Sequence, residues 1–286
     1  MTLLSRLSTL PLLSAISRVS AIFHLSTLFG LVSIGRRGDK HPVLLILLML
    51  VFGVSACSDS STGSKKEEEK PEVLSPELVY FWFFGAQLPN DTELVTIDPV
   101  FPEASDAALH YLSSLPGYPN TDRRASMERR NLPTEMNYRK EGNNGIDFQE
   151  SDMRGLQVRQ PFRLDSEENT MILHMPTYGY TSVVFTMAVI DEGAADALLF
   201  DYSTTSSDAH AWTTNGLEAN QITQQLRDEY RLFTVDFSEV AASADNEHFR
   251  LRIRFQVPDG SAEDGARVTF NNMALDGVPI HQTVPN

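Results

Sequence analysis

The 286-residue sequence predicts an all-β protein: a two-sheet antiparallel β-sandwich of jelly-roll type with few short helices. Three observations carry this. The stretch FRLRIRF alternates strictly, with Phe249, Leu251, Ile253 and Phe255 on one side and Arg250, Arg252 and Arg254 on the other. That is the period-2 pattern of a strand with one buried face, whereas a helix would scatter the arginines around its circumference. Apolar runs of strand length recur between turn-forming clusters, PTYGY, DEGAAD, TTNGLEAN and PDGSAEDG. Helical signal is confined to two short stretches, 104–114 and 219–230, that read as short helices or turns. Many strands with few helices define a sandwich or barrel. The globular part is about twice the roughly 100 residues of an immunoglobulin arrangement, which favours the jelly roll.

Taken in order, the expected strands begin at 78–84, LVYFWFF, a wholly apolar run that places Trp82 in the core. MILHMP (171–176) and YTSVVFTMAVI (180–190) follow, separated by a turn at Gly179, with Tyr180 opening the second of them. ADALLFDYST (195–204), YRLFTVDF (230–237), HFRLRIRFQV (248–257) and ARVTFNNMAL (266–275) complete the set. No repeat of 20–50 residues is present, so 77–286 reads as one domain.

The N-terminal region has a different logic. Arg36, Arg37 and Lys40 precede the apolar run Val43–Val54, too short for the roughly 20 residues a spanning helix needs. A basic segment followed by such a run is an export signal. It ends Val54-Ser55-Ala56-Cys57, small residues before the chain's single cysteine, and this resembles the lipobox of bacterial lipoproteins. The resemblance implies a signal region over 1–56, lipidation of Cys57 and cleavage before it. With Ser58 rather than aspartate next, it also implies sorting to the outer membrane, with periplasmic or surface display. One acyl chain binds a membrane only marginally and several anchor it stably. A chain with one cysteine forms no internal disulfide. Residues 1–35 hold no acidic side chain and read either as a long leader or as translation from a misplaced start, since a lipoprotein signal of ordinary length begins near Arg36. Residues 57–76, rich in Ser, Gly, Lys, Glu and Pro, read as a tether spanning roughly 20–30 Å.

The chain carries 38 acidic and 23 basic side chains, a net charge of −15, and beyond Ala56 the balance is 37 to 18. That excess disfavours nucleic acid and the anionic face of a membrane. It suits a solvated exported protein and is compatible with structural calcium. The sequence has no HExxH, GxSxG, P-loop or GxGxxG, so no catalytic residues are assigned. A glycoside hydrolase with a cryptic carboxylate pair is the enzymatic alternative.

A binding face is the better prospect. Trp212 lies in a turn-rich loop with Asp208, His210 and Asn215 close in sequence, and Tyr178 precedes Gly179 in another. Aromatic faces stack on sugar rings, and polar neighbours supply hydrogen bonds. The bland alternative makes Trp212 a cap on the sandwich. Arg123, Arg124, Arg129 and Arg130 read as a polar loop, solvated or paired with acids.

Read in order, YFWFFGAQLPNDTEL, DAALHYLSSLPGY, RGLQVRQPF, LHMPTYGYTSVVFTMAV, LLFDYSTTSSDAHAWTTNG, the DFS…FRLRIRF block and VTFNNMALDG resemble a family of exported β-sandwich modules. These belong to surface-anchored and secreted proteins of Gram-negative bacteria and have largely undefined function. The resemblance spans about 79–277 and implies a galactose-binding-like or carbohydrate-module-like jelly roll. It implies that RGLQVRQPF introduces the first core strand. It also implies an aspartate after the phenylalanine of the last strand, where this chain has Asn271-Asn272. If that position supports calcium, Asn271 keeps a carbonyl oxygen and loses the charge. The expected function is non-catalytic binding, with polysaccharide the leading ligand class. A structural or protein-interaction role in the cell envelope is the alternative.

Overall fold

The computed structural model describes residues 74–119, 125–160, 163–164, 167–206, 211–257 and 265–280. Cys57, the leader and most of the tether lie outside them, as do Arg123, Arg124, Asp208 and His210. Among the described residues no helix is long and apolar enough to cross a membrane.

The strands are β1 (Glu77–Trp82), β2 (Thr96–Ile97), β3 (Ala108–Leu112), β4 (Met127–Arg130), β5 (Gly155–Arg159), β6 (Arg163–Leu164) and β7 (Glu167–Glu168). They continue with β8 (Thr170–His174), β9 (Tyr180–Glu192), β10 (Ala197–Ser203), β11 (Thr223–Gln225), β12 (Arg231–Asp236), β13 (Arg250–Gln256) and β14 (Arg267–Pro279). One sheet has the order β12-β9-β14-β5-β4, and β1 pairs with the far half of β14. The second has the order β11-β10-β13-β8-β3-β2, while β6 and β7 form a separate ribbon. Pairing in both sheets is antiparallel. From β8 onward the chain passes back and forth between the sheets, β11 excepted, as a jelly roll requires.

Every strand expected from the sequence forms, shifted by a few residues at its ends. On β13 the arginine rows stand outward, and Phe249, Leu251, Ile253 and Phe255 are buried. Rings cross the interior between the sheets. Phe255 meets Phe270 edge-on at 6.2 Å, and Phe237 meets Tyr202 at 5.5 Å and Phe249 at 4.9 Å. Trp82 is fully buried and donates Nε1–H to the Ile97 carbonyl, so its one polar group is satisfied. Burying each such side chain contributes about 1.5–3 kcal/mol.

Two expectations are corrected. The stretch 104–114 is not helical: Ala108–Leu112 is β3, because Leu109 and Tyr111 alternate inward while His110 and Leu112 face out. Of 219–230 only Ala219–Ile222 is a helix (α1), and the chain passes directly into β11. There the Gln224 amide donates to the Thr234 carbonyl and accepts the Thr234 N–H, joining β11 to the edge strand β12 of the other sheet.

Segment 131–154 lies against the outer face of the first sheet. Asn271 donates Nδ2 to the Leu132 carbonyl at 2.9 Å, and Asn272 donates to the Thr134 and Met136 carbonyls at 2.7 and 2.8 Å. Tyr138 packs edge-on against the buried Phe81, and Arg139 pairs with Asp276 at 2.9 Å. Thr269, Asn271 and Ala274, which face this segment, are buried. The outer face of the second sheet carries partly or fully exposed residues on five adjacent strands, Thr96, His110, Ile172, Arg252 and Leu199 among them.

Candidate binding face

Register assembles that outer face. Thr96 pairs with His110, His110 with Ile172, Ile172 with Arg252, and Arg252 with Asp201, forming one row across β2, β3, β8, β13 and β10. A neighbouring row runs Ala108, His174, Arg250, Ser203. Over β2, β3, β8 and β13 lies a shallow groove of about 360 Å³, lined by Val95, His110, Leu112, Ile172, His174 and Arg250 with part of Tyr111. Val95 is 42 % and Leu112 53 % exposed, so the apolar part of the lining faces water.

Trp212 stands at the β10 edge of the same face. Thr213 bridges to Tyr202, and the preceding residue turns its side chain over the sheet, where the half-buried indole covers the Arg252 guanidinium at 4.4 Å. That guanidinium makes two hydrogen bonds to Asp201, Nε to Oδ1 at 2.7 Å and Nη2 to Oδ2 at 2.5 Å, and Arg254 adds a third at 3.1 Å. A cation against an indole face gains electrostatic attraction as well as contact area.

His110 hydrogen-bonds Thr96 Oγ1 through Nδ1 at 3.2 Å. Its pKa lies below the ordinary histidine value, first because burial disfavours the charged ring, then because His174 and Arg250 are close, with Asp98 opposing. His174 is held by the Asp106 and Glu247 carbonyls at 3.1 Å each. Glu247 in turn accepts the Tyr178 hydroxyl and lies 3.0 Å from His248 Nε2. Tyr178 is 55 % exposed, and its hydroxyl pKa is raised by that carboxylate hydrogen bond.

Of the residues named from the sequence, Trp212 therefore lies on the face and Tyr178 stands at its end, linked to His174 through Glu247. Asn215 is exposed, but its carbonyl accepts the Tyr202 hydroxyl at 2.6 Å and its N–H bonds Thr213 Oγ1, so its backbone shapes the turn. Asn271 is buried in the other sheet, where Nδ2 is shared between the Leu132 carbonyl and the Tyr230 hydroxyl. Among the described residues no group of three or more His, Cys, Asp or Glu converges as a metal site. Arg129 and Arg130 lie on β4 rather than in a loop, and Arg130 pairs with Glu192 at 3.2 Å. The sequence reasoning missed Arg250, His110, His174 and Ile172. The outward arginine row of β13 was the signal that could have found the first.

No family model matches the chain, and no curated protein matches it. Solved structures with similar shape include the first xylan-binding CBM22 domain of Paenibacillus barcinonensis Xyn10C, at 11 % identity and TM-score 0.36, covering 73 % of this chain and all of that one. The K2 cleaved adhesin domain of Lys-gingipain matches at 11 % identity and TM-score 0.33, covering 68 % and 96 %. The N-terminal cellulose-binding domain of Cellulomonas fimi β-1,4-glucanase C matches at 14 % identity and TM-score 0.24, covering 46 % and 80 %.

Proposed function

We propose that this chain is a lipid-anchored protein of the bacterial outer membrane whose β-sandwich binds carbohydrate without catalysis, using the outer face of the second sheet. One observation carries the reading of the face: an open groove in which exposed Val95 and Leu112 and the half-buried Ile172 lie among the side chains of His110, His174 and Arg250. A sugar ring presents C–H groups on its faces and hydroxyls at its rim, and recognition needs an apolar floor beside precisely placed polar groups. The anchoring rests on the lipobox-like Val54-Ser55-Ala56-Cys57.

A ligand that binds the native state raises the melting temperature. The test is thermal stability of the full-length protein against a polysaccharide panel, with Leu112→Asp and Ile172→Asp compared to the parent. A rise that either substitution removes supports the reading, and no rise with any glycan overturns it. For the anchor, Cys57→Ser should abolish incorporation of radiolabelled palmitate and release the protein from membranes, and retention of both would overturn that part. The exposure of Val95 and Leu112 favours one second reading, a docking surface for another envelope protein.

A further inference from the structure

Resting on the carbohydrate reading, we infer that the groove takes an anionic polysaccharide, whose carboxylate or sulfate substituents are met by Arg250. The charge on this face runs against that of the chain. Acidic side chains outnumber basic ones 38 to 23, yet β13 sets Arg250, Arg252 and Arg254 outward in succession. Asp201 on β10 answers two of them, Arg252 with two hydrogen bonds and Arg254 with one. Arg250 donates Nη1 to the Thr205 and His248 carbonyls, at 3.0 and 3.3 Å, and forms no ion pair among the described residues. Its guanidinium is thus positioned by neutral acceptors at the wall of the groove, with no carboxylate paired to it among the described residues.

Of the nearby carboxylates, Glu247 is held by Tyr178 and His248, and Asp98 acts on His110. A neutral glycan would gain hydrogen bonds from Arg250 but no ion pair. A planar carboxylate or a sulfate matches the guanidinium fork with paired, charge-assisted hydrogen bonds. Spacing agrees: Ile172 of β8 pairs with Arg252 and has Arg250 as its diagonal neighbour on β13, roughly 7–8 Å away, so a sugar seated on Ile172 reaches Arg250 through a ring substituent.

The experiment measures affinity of the full-length protein for oligogalacturonate, a sulfated dextran oligosaccharide, neutral xylohexaose and polyaspartate, at low and at raised salt. The expected result is that one anionic glycan binds at least tenfold tighter than xylohexaose and weakens as salt screens the charge. Which anion binds identifies the substituent. Arg250→Gln should erase that preference, and Arg250→Lys, which keeps the charge without the fork, should lose part of it. Thermal melting of both variants checks that they fold. Xylohexaose bound as tightly as the anions, and equally by Arg250→Gln, would overturn the inference while leaving the carbohydrate reading intact. Polyaspartate bound as tightly as the anionic glycan would overturn it as mere charge attraction. Absence of binding to every glycan would overturn the carbohydrate reading itself.

Discussion

Arg252 grips Asp201 with two hydrogen bonds, at 2.7 and 2.5 Å, and carries the Trp212 ring 4.4 Å over its guanidinium. The carboxylate is almost fully buried and serves Arg254 as well, so one acidic group organises two arginines of the neighbouring strand. Asp201→Asn keeps the shape and removes the charge, leaving the part-buried Arg252 guanidinium without its counter-ion and weakening the hold on Arg254. The expected cost is about 1–3 kcal/mol, read as a lower urea midpoint at unchanged slope. A midpoint equal to the parent's would show that solvent screens the arginines fully.

A second prediction concerns Asn271. Its Nδ2 donates to the Leu132 carbonyl and to the Tyr230 hydroxyl, which itself donates to Leu132 at 2.5 Å. Asn271→Asp would set a buried carboxylate against that carbonyl with no proton between them, and an unsatisfied buried polar group costs about 1–3 kcal/mol, more when charged. The variant should melt lower by several degrees, equally in calcium and in EDTA. Rescue by calcium would mean that a metal can occupy this position.

Gly155 tests the same close approach from the facing strand. A Cβ there would lie 2.7 Å from Asn271 Nδ2 and 3.0 Å from the Leu132 carbonyl oxygen, both fixed by hydrogen bonds. Gly155→Ala should therefore destabilise by about 1–3 kcal/mol through overpacking, and a neutral effect in chemical denaturation would show that segment 131–154 yields.

These positions explain what the sequence disclosed and what it hid. β13 was legible because its buried and exposed residues alternate without exception. β4 and β5, MERR and GLQVR, were not read as strands, because their outward side chains Glu128 and Gln157 are polar yet buried, which blurs the alternation. β3 reads from sequence as a short helix or turn because DAALHYL holds helix formers, and only the burial of Leu109 and Tyr111 reveals period 2. Trp212 was found as an aromatic in a turn. The groove was not, because His110, His174 and Arg250 lie on three strands far apart in sequence and meet only through register. The resemblance has RGLQVRQPF introducing the first core strand, whereas Gly155–Arg159 within it is itself β5, with four strands before it.

Two carboxylates should tilt the pH dependence of stability in opposite directions. Burial alone would raise the Glu192 pKa, but hydrogen bonds from Arg267 and Thr269 and the charges of Arg267 and Arg130 hold it below the ordinary range. Its stabilisation is present above the unfolded-state pKa and lost as pH falls through the lower folded value. Asp276 is the reverse: burial raises its pKa despite the attraction of Arg139, so its contribution becomes less favourable as pH rises through the folded value. Denaturation of Glu192→Gln and Asp276→Asn against the parent, from pH 3 to 7, should give difference curves of opposite slope. Curves of the same sign would contradict one of the two assignments.

The ring of His110 reports which kind of ligand the groove holds. Unliganded, it titrates below the ordinary histidine range, since burial and the charges of His174 and Arg250 outweigh Asp98. It is therefore neutral at pH 7 and exchanges a hydrogen bond with Thr96 Oγ1. A neutral sugar laid over the groove removes more water from the ring and adds no charge, so the expected shift is further down. A bound carboxylate or sulfate favours the imidazolium and must raise it. Following the His110 imidazole signals by NMR against pH, with and without a saturating oligosaccharide, separates the two by sign alone. An upward shift with oligogalacturonate that disappears in Arg250→Gln would tie the negative group to that arginine. A downward shift would mean that the bound face of the sugar is uncharged there.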